Sequence, residues 1–283
     1  MIREAGPDDR SQVEARLTRH IDMAMFPLAN LRAHGLGQGS FPSDHAHATR
    51  FWLLQDQGVV ALSRGGMLMT LDTEALDLAA LRETLSGQEV EGALGPAVAI
   101  RPLLSALGLA GVPMRQDKDE PAFALDLTQL RVPDRPAATL VPATASHRPL
   151  LLDWRAAYQR EILGAPFDAA EALAVADVDR MIDRGNHRLL LDHGQPVALT
   201  GFNATLPDIV QVGGVYTPPA LRGLGHARLA VALHLVEARA AGVARAVLFA
   251  ASLAAARAYR AIGFQPNGTF ALVLFARPAT ISA

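Results

Sequence analysis

Cysteine is absent from the 283 residues. No disulfide framework, thiolate nucleophile or cysteine metal site can therefore be built. Lysine is almost absent: Lys118 is the single one, and arginine supplies the remaining positive charge. No uninterrupted apolar run approaches the roughly 18 residues of a membrane-crossing helix. Met1-Ile2-Arg3-Glu4 has charges with no apolar segment behind them, unlike a secretory signal. The expectation is a soluble, cytoplasmic protein that does not engage a membrane. An excess of positive charge is missing too. The net charge is −2, which argues against a polybasic surface for nucleic acid.

Half the residues are hydrophobic and 19% are charged, a globular composition with apolar surface enough for a real core. The length admits one large domain or two ordinary ones. Residues 1–136 carry 13 Lys+Arg against 18 Asp+Glu, and residues 137–283 carry 13 against 10. The second half is thus mildly basic, which suits a phosphate-bearing ligand. A junction is expected where Gln116-Asp117-Lys118-Asp119-Glu120 leads into a short alternating strand, Phe123 to Leu130. Two prolines follow in Arg131-Val132-Pro133-Asp134-Arg135-Pro136 and oppose regular structure. The boundary is placed near Pro136, giving domains 1–135 and 136–283.

In the first domain, Pro7-Asp8-Asp9 starts a helix running to about Met25. Arg50–Leu54 and Val59–Leu62 read as a hairpin turned by Asp56-Gln57-Gly58. Met67–Leu71 reads as a strand, Leu76–Leu85 and Val98–Leu107 as helices. In the second, helices are expected over Arg148–Leu163 and Ala169–Arg184, where Leu151, Trp154 and Tyr158 keep helical spacing. Strands Arg188–Leu191, Pro196–Ala204 and Ile209–Thr217 follow. Then come a long helix ending at Gly242, a strand Ala244–Ala250, a helix Ala254–Ile262 and a last strand Phe270–Phe275. Asn267-Gly268 is a turn signal before that strand. Both halves read as α/β or α+β.

The informative stretch is Val215-Tyr216-Thr217-Pro218-Pro219-Ala220-Leu221-Arg222-Gly223-Leu224-Gly225-His226-Ala227. A strand ends and a glycine-rich turn opens a helix. The first amides of a helix have no partner inside it and lie at the positive end of its dipole, where an anion collects several N–H bonds. Gly223 and Gly225 let backbone approach phosphate oxygens closely. The alternative is an ordinary strand–turn–helix connection. A nucleoside-triphosphate loop is excluded, since no Gly-Lys-Ser/Thr occurs here, and Arg228 stands where a dinucleotide fingerprint needs its third glycine.

Farther on, Ser252-Leu253-Ala254-Ala255-Ala256-Arg257-Ala258-Tyr259 is closed by Ala261-Ile262-Gly263-Phe264. Taken with Val215–Thr217 and Arg222–Ala227, the order and spacing resemble the GCN5-related N-acetyltransferase (GNAT) family over about residues 140–276. That family shows V-x-V/T, then R/Q-x-x-G-x-G/A, then N-x-x-A-x-x-x-Y-x-x-x-G-F. The resemblance implies a mixed central sheet flanked by helices and acetyl-CoA as co-substrate. It implies that the backbone of Val215, Tyr216 and Thr217 holds the pantetheine arm like an extra strand. It also implies that the amides of Arg222, Gly223, Leu224, Gly225, His226 and Ala227 hold the pyrophosphate, with Gly213-Gly214 as the bulge that splays two strands. Tyr259 is implied as the general acid that protonates the departing thiolate. Ser252 departs from the usual Asn: it contacts coenzyme or simply caps its helix.

The general base is not identified by motif. Glu161 follows the helix of Trp154 and Tyr158 and is the candidate; Asp208, Gln211 or a water chain are alternatives. His187, His193, His226 and His234 make no metal spacing. The acceptor is read as an amine on a small molecule or peptide. The rival readings are a non-catalytic coenzyme A-binding module and an acyltransferase that uses a longer acyl-CoA. The first half lacks the paired motifs and any tyrosine. It is read as a degenerate GNAT-like domain, or else a cap, with Gly92-Ala93-Leu94-Gly95-Pro96 as an eroded phosphate turn. Met25–Phe41 is expected to be a mobile loop carrying Gly35, Gly37 and Gly39.

Overall fold

The computed structural model describes residues 2–54, 58–72 and 77–282. The chain forms two compact units, Met1–Glu120 with Gly268–Ala283, and Pro121–Asn267. The first contains β1 (Arg3–Glu4), α1 (Arg10–Thr18), α2 (Ile21–His34), β2 (Thr49–Leu53), β3 (Val59–Ser63), β4 (Met67–Thr70), α3 (Leu78–Thr84), β5 (Glu89–Pro96) and α4 (Ala97–Ala106). β6 (Met114–Asp126) begins in it and continues into the second unit. There follow β7 (Ala138–Pro142), α5 (Arg148–Glu161), α6 (Phe167–Arg184), β8 (His187–Asp192), β9 (Gln195–Thr205), β10 (Ile209–Tyr216), α7 (His226–Ala240), β11 (Arg245–Phe249) and α8 (Leu253–Ala261). β12 (Gln265–Thr280) starts there and returns to the first unit from Gly268 onward.

Each unit is built on the same plan. In the first, β1 to β4 pair antiparallel in chain order, α3 crosses over, and β5 lies parallel to β4. β12 closes that sheet antiparallel to β5, from Phe270↔Pro96 to Leu274↔Gly92. In the second, β7 to β10 pair antiparallel, α7 crosses over, and β11 lies parallel to β10. β6 then pairs antiparallel with β11, from Arg245↔Asp126 to Phe249↔Ala122. One parallel crossover inside an otherwise antiparallel sheet makes both units mixed α/β.

Strand alternation sends neighbouring residues to opposite faces. In the second unit, Leu189, Leu199 and Tyr216 pack under Leu151 and Trp154 of α5 and Val178 and Met181 of α6. Leu190 and Ala198 face Leu229 and Ala230 of α7 instead. Val210, Val212, Leu248, Val231, Leu235, Tyr259 and Phe264 pack into a further cluster of this unit. Burying a Leu, Val or Phe stabilises by about 1.5–3 kcal/mol each, so these clusters hold the sheet against its helices.

Several expectations are corrected. The compact units divide at Glu120 and Pro121, ahead of the expected boundary at Pro136, because 122–126 is bound into the sheet by β11. Asn267-Gly268 lies inside β12, where the strand passes from one unit to the other, and does not precede it. Gly92–Pro96 is no eroded phosphate turn: it is strand, paired with Phe270–Leu274. Met25–His34 is helix, with Met25, Leu28 and Leu31 buried, so only the part from Gly35 is loop. The first helix is interrupted between Thr18 and Ile21. The hairpin of β2 and β3 is present, although its turn at 55–57 lies outside the described residues, as does Leu76.

Candidate functional site

β10 and β11 part company. Their ladder runs from Ile209↔Arg245 to Val212↔Leu248 and stops, four residues before β10 ends. On the other side, β10 changes register against β9 between Gly213↔Gly201 and Tyr216↔Leu199, so one extra residue sits on β10. Such a bulge bends a strand and breaks its pairing. Gly214 has φ +63, a left-handed conformation that glycine adopts without Cβ strain. Gly213, Gly214, Val215 and Tyr216 therefore leave the ladder with β11 at the place where the sequence put a bulge.

Beyond the splay, the chain makes a single 3-10 turn at Pro219–Leu221 and enters α7 through Gly223 (φ +80) and Gly225 (φ +82). The first backbone bond of α7 is Leu229 N–H to Gly225 O. Among the described residues, the amides of Gly223, Leu224, Gly225, His226 and Ala227 have no acceptor; that of Arg222 donates to Pro219 O, 3.2 Å. Five successive open donors at a helix N-terminus are a ready anion cradle. Arg228 leans back on it, within 3.0 Å of where a Cβ on Gly225 would lie.

The ring of His226 turns inward and is buried. Arg135 donates to His226 Nδ1 (3.0 Å), to Asp192 (3.1 Å) and to Leu224 O (3.3 Å), bracing the turn from behind. An always-charged arginine donating to Nδ1 requires a neutral ring. Burial first, then the Arg135 charge, hold this histidine below its ordinary pKa, with Asp192 opposing. In the sequence Arg135 stands out only as part of the proline-containing junction.

Ser252 caps α8, its Oγ accepting from Ala255 N–H at 3.1 Å. This is the capping role offered as the alternative to coenzyme contact. Tyr259, on the buried side of α8, meets Phe264 edge-on at 6.1 Å within the cluster that holds Val212, Leu248 and, at its margin, Val215. The tyrosine thus belongs to the packed layer beneath the strands that separate.

Glu161, at the end of α5, reaches the outer end of β10. Tyr216 Oη donates to its Oε1 at 3.2 Å, and Arg222 pairs with Oε2. Arg222 also donates through Nε to Thr217 O (2.9 Å) and lies 5.7 Å over the Tyr216 ring. Burial first, then the negative charge of Glu161 and the hydrogen bond to it, raise the Tyr216 phenol above its ordinary range, with Arg222 opposing. Trp154 (6.1 Å) and Tyr158 (6.5 Å) complete an aromatic wall around Tyr216. Asp208 stands at the other end of β10, beside Arg245, and does not join this group. Gln211 is buried, its Nε2 donating to Val212 O.

Sequence reasoning passed over the residues beside the bulge. His187 is buried on β8 and its ring lies across Gly201, where a Cβ would meet Cδ2 at 2.2 Å. The same ring reaches to 3.3 Å from a Cβ built on Gly214, and Arg155 Nη1 to 3.8 Å. Burial is the main reason His187 is pushed down to about 3; Arg155, Arg184 and Arg188 add to it and Asp177 opposes it. The paired glycines at 213 and 214 were the only signal of this close approach; its partners come from three other elements. Among the described residues, no group of His, Asp or Glu could hold a metal ion, and no helix is long and apolar enough to cross a membrane.

No family model and no curated protein matches the sequence. Solved structures do match the fold. The chain is similar to a tandem GNAT protein from the clavulanic acid biosynthesis pathway at 15% identity and TM-score 0.55, over 100% of this chain and 99% of that one. A GCN5-related N-acetyltransferase from Sphaerobacter thermophilus aligns at 16% identity and TM-score 0.54, over 100% and 96%. One from Kribbella flavida aligns at 19% and 0.54, over 80% and 89%. With two crossover units that both fall within such full-length matches, the chain has the two-domain fold of the GCN5-related N-acetyltransferases.

Proposed function

We propose that the second unit is an N-acyltransferase that takes acetyl-CoA as acyl donor and an amine as acceptor. One juxtaposition carries this reading: β10 leaves β11 after Val212, directly ahead of five acceptor-free amides at Gly223–Ala227. A diphosphate needs several convergent N–H donors, and those amides supply them, with Arg228 adding positive charge. An amide-bearing arm needs unpaired strand backbone, and Val215 to Thr217 lie where β10 has lost its neighbour. The residues present fit coenzyme A on both counts.

Bound acetyl-CoA would supply an activated acyl group and a thiolate leaving group. The chain's part is to orient and to move protons. Tyr259 is the acid: its hydroxyl delivers a proton to the departing sulfur. Glu161 holds Tyr216 and Arg222 and so steadies the outer end of β10, a positioning role that occupies both of its oxygens. Calorimetry with acetyl-CoA tests the binding half, and uptake with roughly 1:1 stoichiometry is expected. Tyr259→Phe tests the other half: kcat falls at least tenfold while acetyl-CoA affinity stays within about twofold. Absence of acetyl-CoA binding by folded protein would falsify the reading. The non-catalytic alternative predicts binding without any thiol release.

A further inference from the structure

Beside the bulge, the α5–α6 face of the second unit holds two polar groups that its own contacts leave open. Arg155 is fixed by Nε to Asp177 (2.6 Å), which Gln159 (2.6 Å) and Arg180 also hold, and its guanidinium stacks 4.2 Å from the Tyr158 ring. Its Nη1 is buried and has no hydrogen-bond partner. A buried donor left unmade costs about 1–3 kcal/mol, and native interiors seldom retain one without a use. The side chain as a whole keeps 13% exposure.

The second group is His187. Asn186 Nδ2 donates to Phe202 O (2.6 Å), which turns Asn186 Oδ1 toward His187 Nδ1 (2.9 Å). An oxygen there requires Nδ1 to carry the proton, so Nε2 of the neutral ring presents a lone pair. Both groups converge on Gly214, Nε2 at 3.3 Å and Nη1 at 3.8 Å from the position of its absent Cβ. A donor with fixed positive charge from α5 and a lone-pair acceptor from β8 thus both approach Gly214 of β10.

We infer that this face binds an acceptor amine with a carboxylate on the adjacent carbon, an α-amino acid, whose carboxylate Arg155 takes and whose N–H meets His187 Nε2. The inference rests on the acyl-transfer reading for its reaction and on geometry alone for its binding site. Arg155, Arg184 and Arg188 act on His187 with positive charge and Asp177 opposes them, with Arg155 paired to Asp177 and Arg188 to Glu237.

The test uses the whole chain and two probe sets: the twenty L-amino acids with their amides as acceptors, and N-acetyl-L-amino acids with their amides as product-side ligands. Thiol release and ligand binding by NMR are read separately. At least one amino acid is expected to react tenfold or more better than its amide. The matching N-acetyl-amino acid is expected to bind where its amide does not. Arg155→Lys, which keeps the charge and a stem for Asp177, should raise KM for that amino acid tenfold or more with acetyl-CoA affinity unchanged. Amides serving as well as acids would overturn the inference, as would no member of either set binding. Loss of acetyl-CoA binding alone sinks the transfer reading, while N-acetyl-amino acid binding still reports on Arg155.

Discussion

The two units contain the same crossover, and they finish it differently. In the second, β10 and β11 separate after Val212, and the turn into α7 leaves the five amides of Gly223–Ala227 open. In the first, β4 and β5 stay zipped through Met69↔Leu94, and the backbone at Gly95 is so close that a Cβ there would lie 2.5 Å from Thr70 O. β4 also keeps an unbroken register against β3, with no bulge. At the start of α3, Asp77 accepts from Ala80 N–H at 3.1 Å, so the helix end already carries its own carboxylate. An anion approaching α7 meets donors; one approaching α3 meets a negative charge. Two features decide whether this crossover can hold a diphosphate: a bulge that opens the strands, and the chemistry of the helix N-cap. Among its described residues the first unit shows neither: β4 keeps its register against β3, and Asp77 caps α3.

The largest expected effect breaks that contrast in the working unit. Gly225→Val puts a β-branched residue at φ +82, a conformation costing roughly 1–2 kcal/mol for a side-chain-bearing residue, and pushes Cβ onto Arg228. Acetyl-CoA affinity measured by calorimetry should fall at least tenfold, with the unfolding transition retained.

Acidity acts next. The rings of His187 and of His234, which stacks 3.9 Å from Phe202, both sit at about 3, pushed down chiefly by burial. The unfolded chain binds those protons near 6.5 and the folded chain does not. Stability is therefore complete above pH 6.5 and is lost as pH falls from there toward 3. The slope is on the order of 1.4 kcal/mol per pH unit per histidine at most. Urea denaturation across that window should show it, and His234→Leu should flatten it. A slope unchanged in that variant would mean that His234 is already charged when folded.

The smallest effect sharpens the comparison from the other side. Asp77→Ala should cost about 1 kcal/mol of stability through the lost cap and leave acetyl-CoA affinity untouched. A change in affinity would make the first unit a participant in binding.

Much of the second unit was legible because its signals are local. Helical spacing at Leu151, Trp154 and Tyr158 marks α5, and the paired glycines at 213–214 and the glycines at 223 and 225 mark the bulge and the turn. What escaped depends on cross-strand approach. Nothing beside His187 in the sequence announces that its ring will lie over Gly201 and Gly214, or that Arg155 will leave Nη1 open there. Arg135 was hidden for the same reason, since its partners Leu224 and His226 are far along the chain. In the first unit, Gly92 and Gly95 misled because glycine marks close backbone contact as readily as a turn, and here Gly92 packs against Val273 O.

β12 has a consequence for the order of assembly. Pro121–Asn267 is continuous in sequence and can close as soon as it has been synthesised. The first unit is completed only when Gly268–Thr280, made after the whole of the second, pairs with the open edge of β5. Until then that open strand edge is the part of the nascent N-terminal half that a chaperone would shield.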